Sequence, residues 1–251
     1  MQAVTDELII MSFNLLCEES PPTKWGTLEE RKNAVVSQIR EIHADTVGVQ
    51  ECSRTWYDIL CAEFGEEYGI VGELTNHEKL IWRNAVLYRK DRFELVETKT
   101  KWLSETPDVM SRTPFYYQYR VMTYAKLRDK MTGKILVHAN THMGFRDDER
   151  PIHWGALIQL AKGIEEPLLL TGDFNARRDN PYYGMFVGEG FCDAYDLADK
   201  KDEKNDGGLD HCFVTPDTVQ IFEHRVLTET VDGVDPSDHD AVVVRYRLRQ
   251  I

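Results

Sequence analysis

A short apolar run, Leu168-Leu169-Leu170-Thr171, stops abruptly at Gly172-Asp173-Phe174-Asn175. Bounded by Pro167 and Gly172, it reads as a strand buried on both faces, with the polar residues standing where the strand emerges. Alternate side chains of an extended backbone share a face, so the spacing predicts Asp173 and Asn175 on one cleft and Phe174 in the interior. Alone, Gly-Asp-x-Asn is more often a plain turn. Its recurrence changes the reading. Asn14 ends the run at 8–13, Glu51 ends Thr46-Val47-Gly48-Val49-Gln50, and His142 closes the segment that begins at Lys134. Asp210 enters a strand at 209–214, and Asp238-His239 precede another at 241–248. Several carboxylates in one cleft repel one another unless a cation sits among them, and oxygen donors suit a hard ion such as Mg²⁺. Mg²⁺ keeps much of its water and is commonly completed by phosphate oxygens, so a phosphate ester is the expected partner.

The elements that must position these residues follow from period and punctuation. After the strand at 8–14, Thr27-Leu-Glu-Glu30 is a capping-box pattern that opens a helix running to about His43, with Leu28, Val35, Ile39 and Ile42 on one face. A strand at 46–51 and a helix at 54–63 come next, then strands near 68–72, 84–88 and 93–102, with a turn at 89–92. This order predicts layered α/β architecture with antiparallel pairing where turns are short. Residues 103–119, rich in Pro, Ser and aromatic side chains (Phe115, Tyr116, Tyr117, Tyr119), read as a long functional loop. Strands at 120–128 and 134–141 form a hairpin. A helix at 147–163 carries Pro151 in its first turn and leads into the strand at 167–173. A short helix at 181–187, a charged loop at 199–208 and strands at 209–214, 221–227 and 241–248 complete the chain.

At 251 residues the chain is long for one domain, yet within the range of large α/β folds, and a single domain over 1–251 is expected. Hydrophobic residues at 42% and charged residues at 29% are ordinary for a soluble protein, and no apolar run approaches the roughly 20 residues of a membrane helix. No basic segment followed by a long apolar stretch opens the sequence, so a cytoplasmic location is the expectation. Five cysteines without a Cys-x-x-Cys pair point to reduced, buried thiols. A net charge of −13 argues against a general electrostatic footprint for long nucleic acids. The local pattern is different: Arg177 and Arg178 follow the Gly-Asp-Phe-Asn strand end, Arg146 and Arg150 follow His142, and Lys200, Lys201 and Lys204 precede Asp210. Either these cations rim one cleft, or they are surface charges offset by Asp147, Asp148 and Asp179. With a basic rim, a compact phosphorylated metabolite or short single strand is favoured, and an aromatic such as Tyr117 can stack a base or sugar beside it.

The ordered set Ser-Phe-Asn14, Val-Gln-Glu51, Asn-Thr-His142, Gly-Asp173-Phe-Asn175, Leu-Asp210-His-Cys-Phe-Val and Ser-Asp238-His239 resembles the endonuclease/exonuclease/phosphatase superfamily, the DNase I-like fold, over residues 8–248. Trp102-Leu-Ser-Glu-Thr-Pro107 and Leu227-Thr-Glu-Thr-Val-Asp-Gly233 resemble a branch of compact bacterial members whose substrates are mostly unassigned. The resemblance implies an α/β (α+β) fold, a four-layered sandwich of two mixed β-sheets face to face, flanked by helices. It implies that Glu51 holds Mg²⁺, or Mn²⁺ as a substitute, helped by Asn14 and Asp238. Asp173 and Asn175 then orient the attacking water and the phosphate, and His239 lies against Asp210. His142 and Arg120 match positions that contact the scissile phosphate. Which of Asp173 and His239 takes the water's proton stays open, as does the direction of His211, which adjoins Asp210 and can point inward instead. Three departures stand out: Met143-Gly144-Phe145 replaces Leu-Asp-His, residues 199–208 are charged and short, and Leu15-Leu16 follow Asn14 where some DNA-repair members carry a second acidic ligand. The implied activity is Mg²⁺-dependent hydrolysis of a phosphate mono- or diester in a small phosphorylated substrate or short nucleic acid, with no membrane and no protein partner inferable. The alternatives are a DNA or RNA nuclease and, less favoured, an inactive binding module on the same fold.

Overall fold

The structure is a computed structural model that describes residues 6–17, 25–75, 82–115 and 118–249. In chain order the elements are β1 (Glu7–Asn14), α1 (Leu28–Ile42), β2 (Thr46–Ser53), α2 (Arg54–Phe64), β3 (Tyr68–Val71), β4 (Trp82–Arg89), β5 (Phe93–Trp102), β6 (Val121–Asp129), β7 (Ile135–His142), α3 (Arg150–Lys162), β8 (Leu168–Asp173), α4 (Pro181–Gly188), β9 (Cys192–Asp193), α5 (Ala194–Leu197), β10 (Asp210–Val214), β11 (Val219–Leu227) and β12 (Ala241–Leu248). The first sheet runs β11-β12-β1-β2-β4-β3 and the second β5-β6-β7-β8-β10-β9. Each is mixed, with one parallel pair at its centre: β1 with β2, joined through α1, and β7 with β8, joined through α3. A parallel pair needs such a crossover, which is why a helix follows β1 and another precedes β8.

The expected four layers are present. On the outer face of the first sheet, Met11, Phe13, Val47, Val49 and Leu87 pack against Val35 and Ile39 of α1 and Trp56 and Leu60 of α2. On the outer face of the second, Val137, Leu168, Leu170 and Phe174 pack against Trp154 and Leu157 of α3 and Phe186 of α4. Between the sheets lie Leu8, Ile10, Leu127, Leu136, Leu169, Cys212, Val242 and Val244. The period of two is legible throughout: Met11 and Phe13 go out to the helices, Leu8 and Ile10 go in to the facing sheet.

The capping box at Thr27 and Glu30 is formed, and α1 ends on His43 in the left-handed conformation at φ 49°. Several boundaries differ from the sequence reading. Strand β4 starts at Trp82, β6 at Val121 and β11 at Val219, while α3 starts at Arg150, because residues 147–149 form a turn that the helical spacing does not reveal. The pair β9–α5 was not expected: two residues of strand and one turn of helix are too short to show a period. All five cysteines are free, and Cys17, Cys52 and Cys212 are buried, as expected of reduced thiols. Among the described residues, no helix is long and apolar enough to cross a membrane.

Candidate active site

The inward-facing rows of both sheets run out at one end of the sandwich in polar residues. On β1 the row is Leu8, Ile10, Ser12, Asn14; on β7 it is Leu136, His138, Asn140, His142; on β8 it is Leu169, Thr171, Asp173. Register aligns their ends: His142 pairs with Asp173 across the parallel β7–β8 ladder, and Asp210 pairs with Asp173 across the antiparallel β10–β8 ladder. Strand β2 reaches the same place by a different route. Val47 and Val49 face the helices, so strict alternation would send Glu51 there too. A β-bulge between Val49 and Cys52 breaks the alternation, with Glu51 in the left-handed region at φ 53°. The side chain is thereby turned towards Asn14, and Cys52 returns to the outer core. Leu16 (φ 51°) and Asn175 (φ 48°) are also left-handed, so among the described residues three of the five non-glycine residues with positive φ flank this site. Such clustering of costly backbone is expected where side-chain placement matters more than local stability.

Asp173 Oδ2 is the hub. It accepts a hydrogen bond from Asn14 Nδ2 at 3.1 Å, and it lies 3.3 Å from His142 Nε2 and 3.8 Å from His239 Nε2. Its partner Oδ1 accepts the Asn175 backbone N–H at 2.9 Å. Asn14 Nδ2 also lies 3.4 Å from Glu51 Oε1, and Glu51 Oε2 accepts the Cys17 N–H at 3.1 Å. On the far side His239 Nδ1 stands 2.6 Å from Asp210 Oδ2, which leaves Nε2 turned to Asp173.

Burial, and then the neighbouring Asp210 charge, push the Asp173 carboxyl up to about 7. Burial works against a charged His239, yet the Asp210 carboxylate at hydrogen-bond distance outweighs it and raises that ring to about 10. His142 is driven the other way: burial, with Arg120 and His239 nearby, holds it well below the usual histidine range and hence neutral. Its ring stacks on Trp82 at 5.4 Å between centroids. Arg120 is buried, donates to Gln118 Oε1 at 2.6 Å, and lies over the same Trp82 ring at 5.7 Å. Asp173, Asp210 and His239 each offer a donor atom within 4.8 Å of the others, a grouping that can hold a metal ion. The donor set fits a hard divalent cation. It is dominated by carboxylate oxygens, the buried Asp210 Oδ1 has no hydrogen-bond partner among the described residues, and a carboxyl pushed towards neutrality is what a cation would relieve.

Several expectations need correction. Asn175 does not extend the strand to share a face with Asp173. The chain turns after Asp173, and the Asn175 side-chain amide donates to Met143 O at 2.9 Å. Beside the expected metal residues Glu51, Asn14 and Asp238, the structure brings Asp173, Asp210 and His239 into one tight carboxylate–histidine group; Glu51 reaches it through Asn14, and Asp238 is exposed beside His239. The basic rim is largely neutralised. Arg178 is held by Asp193, Asp196 and Asp206, Arg146 by Asp148, and Lys200 by Glu223. Arg150 pairs with Asp147 and donates to Asn175 O. Arg177 is exposed at the mouth, and Tyr117 lies outside the described residues. His211 is resolved as well. Buried, it places Nδ1 2.9 Å from Asp193 Oδ2 and Nε2 2.9 Å from Ala176 O, so it is not the partner of Asp210.

Three supporting residues escaped the sequence reading. Trp82 floors His142, Asp193 partners His211, and Arg31 of α1 donates to Leu15 O, Leu16 O and Pro236 O at 2.6–3.0 Å, tying the Asn14 turn to the Asp238 loop. A buried arginine on a helix face gives no local signal. Ser237, which donates to Asn14 O at 2.6 Å, was visible as part of Ser-Asp-His.

Known structures share this architecture. A protein from Bacteroides vulgatus described as an endonuclease/exonuclease/phosphatase superposes with a TM-score of 0.86 at 27% identity, covering 97% of this chain and 99% of its own. One from Bacteroides thetaiotaomicron, of the same described family, gives 0.84 at 26% identity, covering 98% of each chain. A Bacteroides thetaiotaomicron mannosyl-6-phosphatase gives 0.79 at 26% identity, covering 97% and 100%. No curated protein sequence matches the chain. Residues 11–239 match the Endonuclease/Exonuclease/phosphatase family, and with every ordered motif from Asn14 to His239 falling inside that span, the chain belongs to this family of phosphoester hydrolases.

Proposed function

We propose that the protein is a divalent-metal-dependent hydrolase of a phosphate ester in a small phosphorylated substrate, with Mg²⁺ the expected ion and Mn²⁺ a substitute. The observation that carries this reading is the convergence on Asp173 of a neutral histidine, a charged one and the Asn14–Glu51 arm. A carboxyl poised near 7 suits a general base at neutral pH, so Asp173 accepts the proton of the attacking water. His239, kept charged by Asp210, presents Nε2–H to the phosphoryl oxygens or the leaving oxygen. Neutral His142 and buried Arg120 serve as donors fixing the phosphate, and Asn175 supports the turn that presents Asp173. Glu51, with Asn14 and Asp238, would hold the metal beside the Asp173–Asp210–His239 group. When bound, the cation polarises the phosphoryl oxygens and neutralises the clustered carboxylates.

The similarity to a mannosyl-6-phosphatase supports a small substrate, as do the net charge of −13 and the paired rim cations. A chelator series on phenyl phosphate, a bis-aryl phosphate, an oligonucleotide and plasmid tests the assignment. Activity is expected to vanish with chelator and return with Mg²⁺, and Glu51→Gln should need about tenfold or more metal. Full activity in excess chelator sinks the metal assignment. Efficient plasmid nicking with a steep salt slope moves it to the nuclease reading.

A further inference from the structure

Beside His239 and Asp210 opens a pocket of about 290 Å³, whose wall is built by the 205–209 loop and Asp238 to Asp240. Its position against the proposed proton donor makes it the space that a group esterified to the phosphate enters. Its chemistry is specific. Gly207 and Gly208 are both left-handed, at φ 93° and 69°, and a Cβ on Gly207 would meet Asp210 O at 2.5 Å, so the wall is thin by necessity. Arg177 lies over Gly208, 3.4 Å from where its Cβ would be, and has no ion pair among the described residues, unlike Arg146, Arg150 and Arg178. Asp240 is an exposed carboxylate on the pocket's wall, and the Oδ1 of buried Asp210 has no partner among the described residues. Asn205 spends its Oδ1 on the Gly207 N–H, leaving its NH₂ group.

Among the described residues no Phe, Tyr or Trp lines this pocket, so none of them offers a nucleobase a ring to stack on. A further phosphate would face Asp210, Asp238 and Asp240 against Arg177 and His239, and that ring is already paired with Asp210. The volume lies just below the range for drug-sized ligand sites, about 300–1,000 Å³, and suits a moiety of about one ring. Unpaired carboxylate oxygens want O–H donors, and an amide NH₂ and a guanidinium want oxygen acceptors. Hydroxyl groups supply both without adding charge.

We propose that this pocket, resting on the hydrolase reading above, is the subsite for the group carrying the phosphate, and that it selects a neutral hydroxyl-rich moiety, a carbohydrate or polyol, through Asp240, Asn205 and Arg177. A site built to pair hydroxyls rejects analogues that lack them, because its polar groups are then left unpaired.

The test compares, with Mg²⁺, a hexose 6-phosphate, its deoxy analogues, phenyl phosphate, a nucleoside 5′-monophosphate and a short oligonucleotide. The hexose phosphate is expected to exceed phenyl phosphate and the nucleotide in kcat/KM by about tenfold or more, with deoxy analogues falling between. Asp240→Ala should lower the hexose-to-phenyl ratio by about tenfold, mainly through KM, and Asp240→Asn should retain part of the preference. Equal rates for hydroxylated and deoxy substrates, an unchanged ratio in Asp240→Ala, or preference for the nucleotide overturns the subsite. Failure to hydrolyse phenyl phosphate with any divalent metal defeats the hydrolase reading instead. In that event calorimetry of the hexose phosphate against inorganic phosphate still decides the pocket: equal affinities in wild type, or no loss in Asp240→Ala, overturn it.

Discussion

Two adjacent residues, Asp210 and His211, take part in two different Asp–His pairs. Strand alternation sends Asp210 inwards with Cys212 and His211 outwards with Phe213, so each finds its partner on a separate side of the second sheet. Asp210 meets His239 at the cleft. His211 meets Asp193 among Phe174, Tyr183 and Phe213. The pairs should respond differently to substitution. His239→Ala and Asp210→Asn should each lower kcat about 10²–10⁴-fold, and the double variant should lose little more than the worse single one, because the pair acts as a unit. Steady-state kinetics on the four proteins checks this, and additive losses would separate Asp210 from His239. His211→Ala breaks a fully buried pair and leaves Asp193 to Arg178, Tyr183 and the Tyr195 N–H, so it should cost about 1.5–3 kcal/mol in urea unfolding. Residual folded protein should keep a kcat near the parent value, since His211 Nε2 is spent on Ala176 O.

At the scale of elements, the site depends on irregularities in otherwise regular strands. The bulge in β2 turns Glu51 to the cleft, and the turn after β8 presents Asp173 with its Oδ1 capped by the Asn175 N–H. Arg31 binds two such irregular segments together from the first sheet's helix layer, with three hydrogen bonds to carbonyls of Leu15, Leu16 and Pro236. Its substitution by Met keeps much of the apolar stem but strands buried carbonyls, so Arg31→Met should destabilise by about 3 kcal/mol or more. It should also reduce kcat/KM about tenfold although Arg31 touches no proposed reacting group, because the Asn14 and Asp238 segments lose their common tie. Denaturant melts and kinetics on one preparation test both. A loss of stability with unchanged kcat/KM would show that those segments hold their places without it.

Across the whole molecule, the space between the sheets is not uniformly apolar. Below the site, Gln50 donates to Asn140 Oδ1 at 2.6 Å, Asn140 donates to Val49 O and Ala85 O, and Thr171 lies 2.9 Å from His138 Nε2. Burial lowers His138 to about 3, and burial with the Arg120 charge lowers His153 to about 3, from an ordinary value of 6.5. Both rings are neutral when folded and free to charge when unfolded. Stability is therefore fully present above about 6.5 and is lost as the pH falls from there towards 3, by about 1.4 kcal/mol per pH unit for each ring. Asp173, raised to about 7, contributes in the opposite sense over its own range, so a comparison of variants is needed to isolate one ring. Among the described residues His153 has no hydrogen-bond partner at either nitrogen. His153→Leu should leave stability at pH 7.5 within about 1 kcal/mol and flatten the acid limb between pH 6 and 4.5 by about one ring's slope. Urea midpoints across that range are the readout, and parallel pH curves for the two proteins would refute it.

The sequence by itself determined the alternation of helices and strands, the capping box at Thr27 and nearly every strand. Alternation, helical spacing and turn residues act over a few neighbours, and those are what a chain displays. It also placed Asn14, Glu51, His142, Asp173, Asp210 and His239 at element ends, since polar residues that close apolar runs have few other places to go. The tertiary structure alone decided which partners those residues take. Asp193 for His211, Trp82 beneath His142 and Arg31 across the Asn14 and Asp238 segments are contacts between elements far apart in sequence, set by register and by packing. The bulge that turns Glu51 inwards and the carboxylates that neutralise Arg146 and Arg178 belong to the same class. A charge's role depends on what lies within a few ångströms of it, and sequence spacing does not fix that distance when the neighbour comes from another strand.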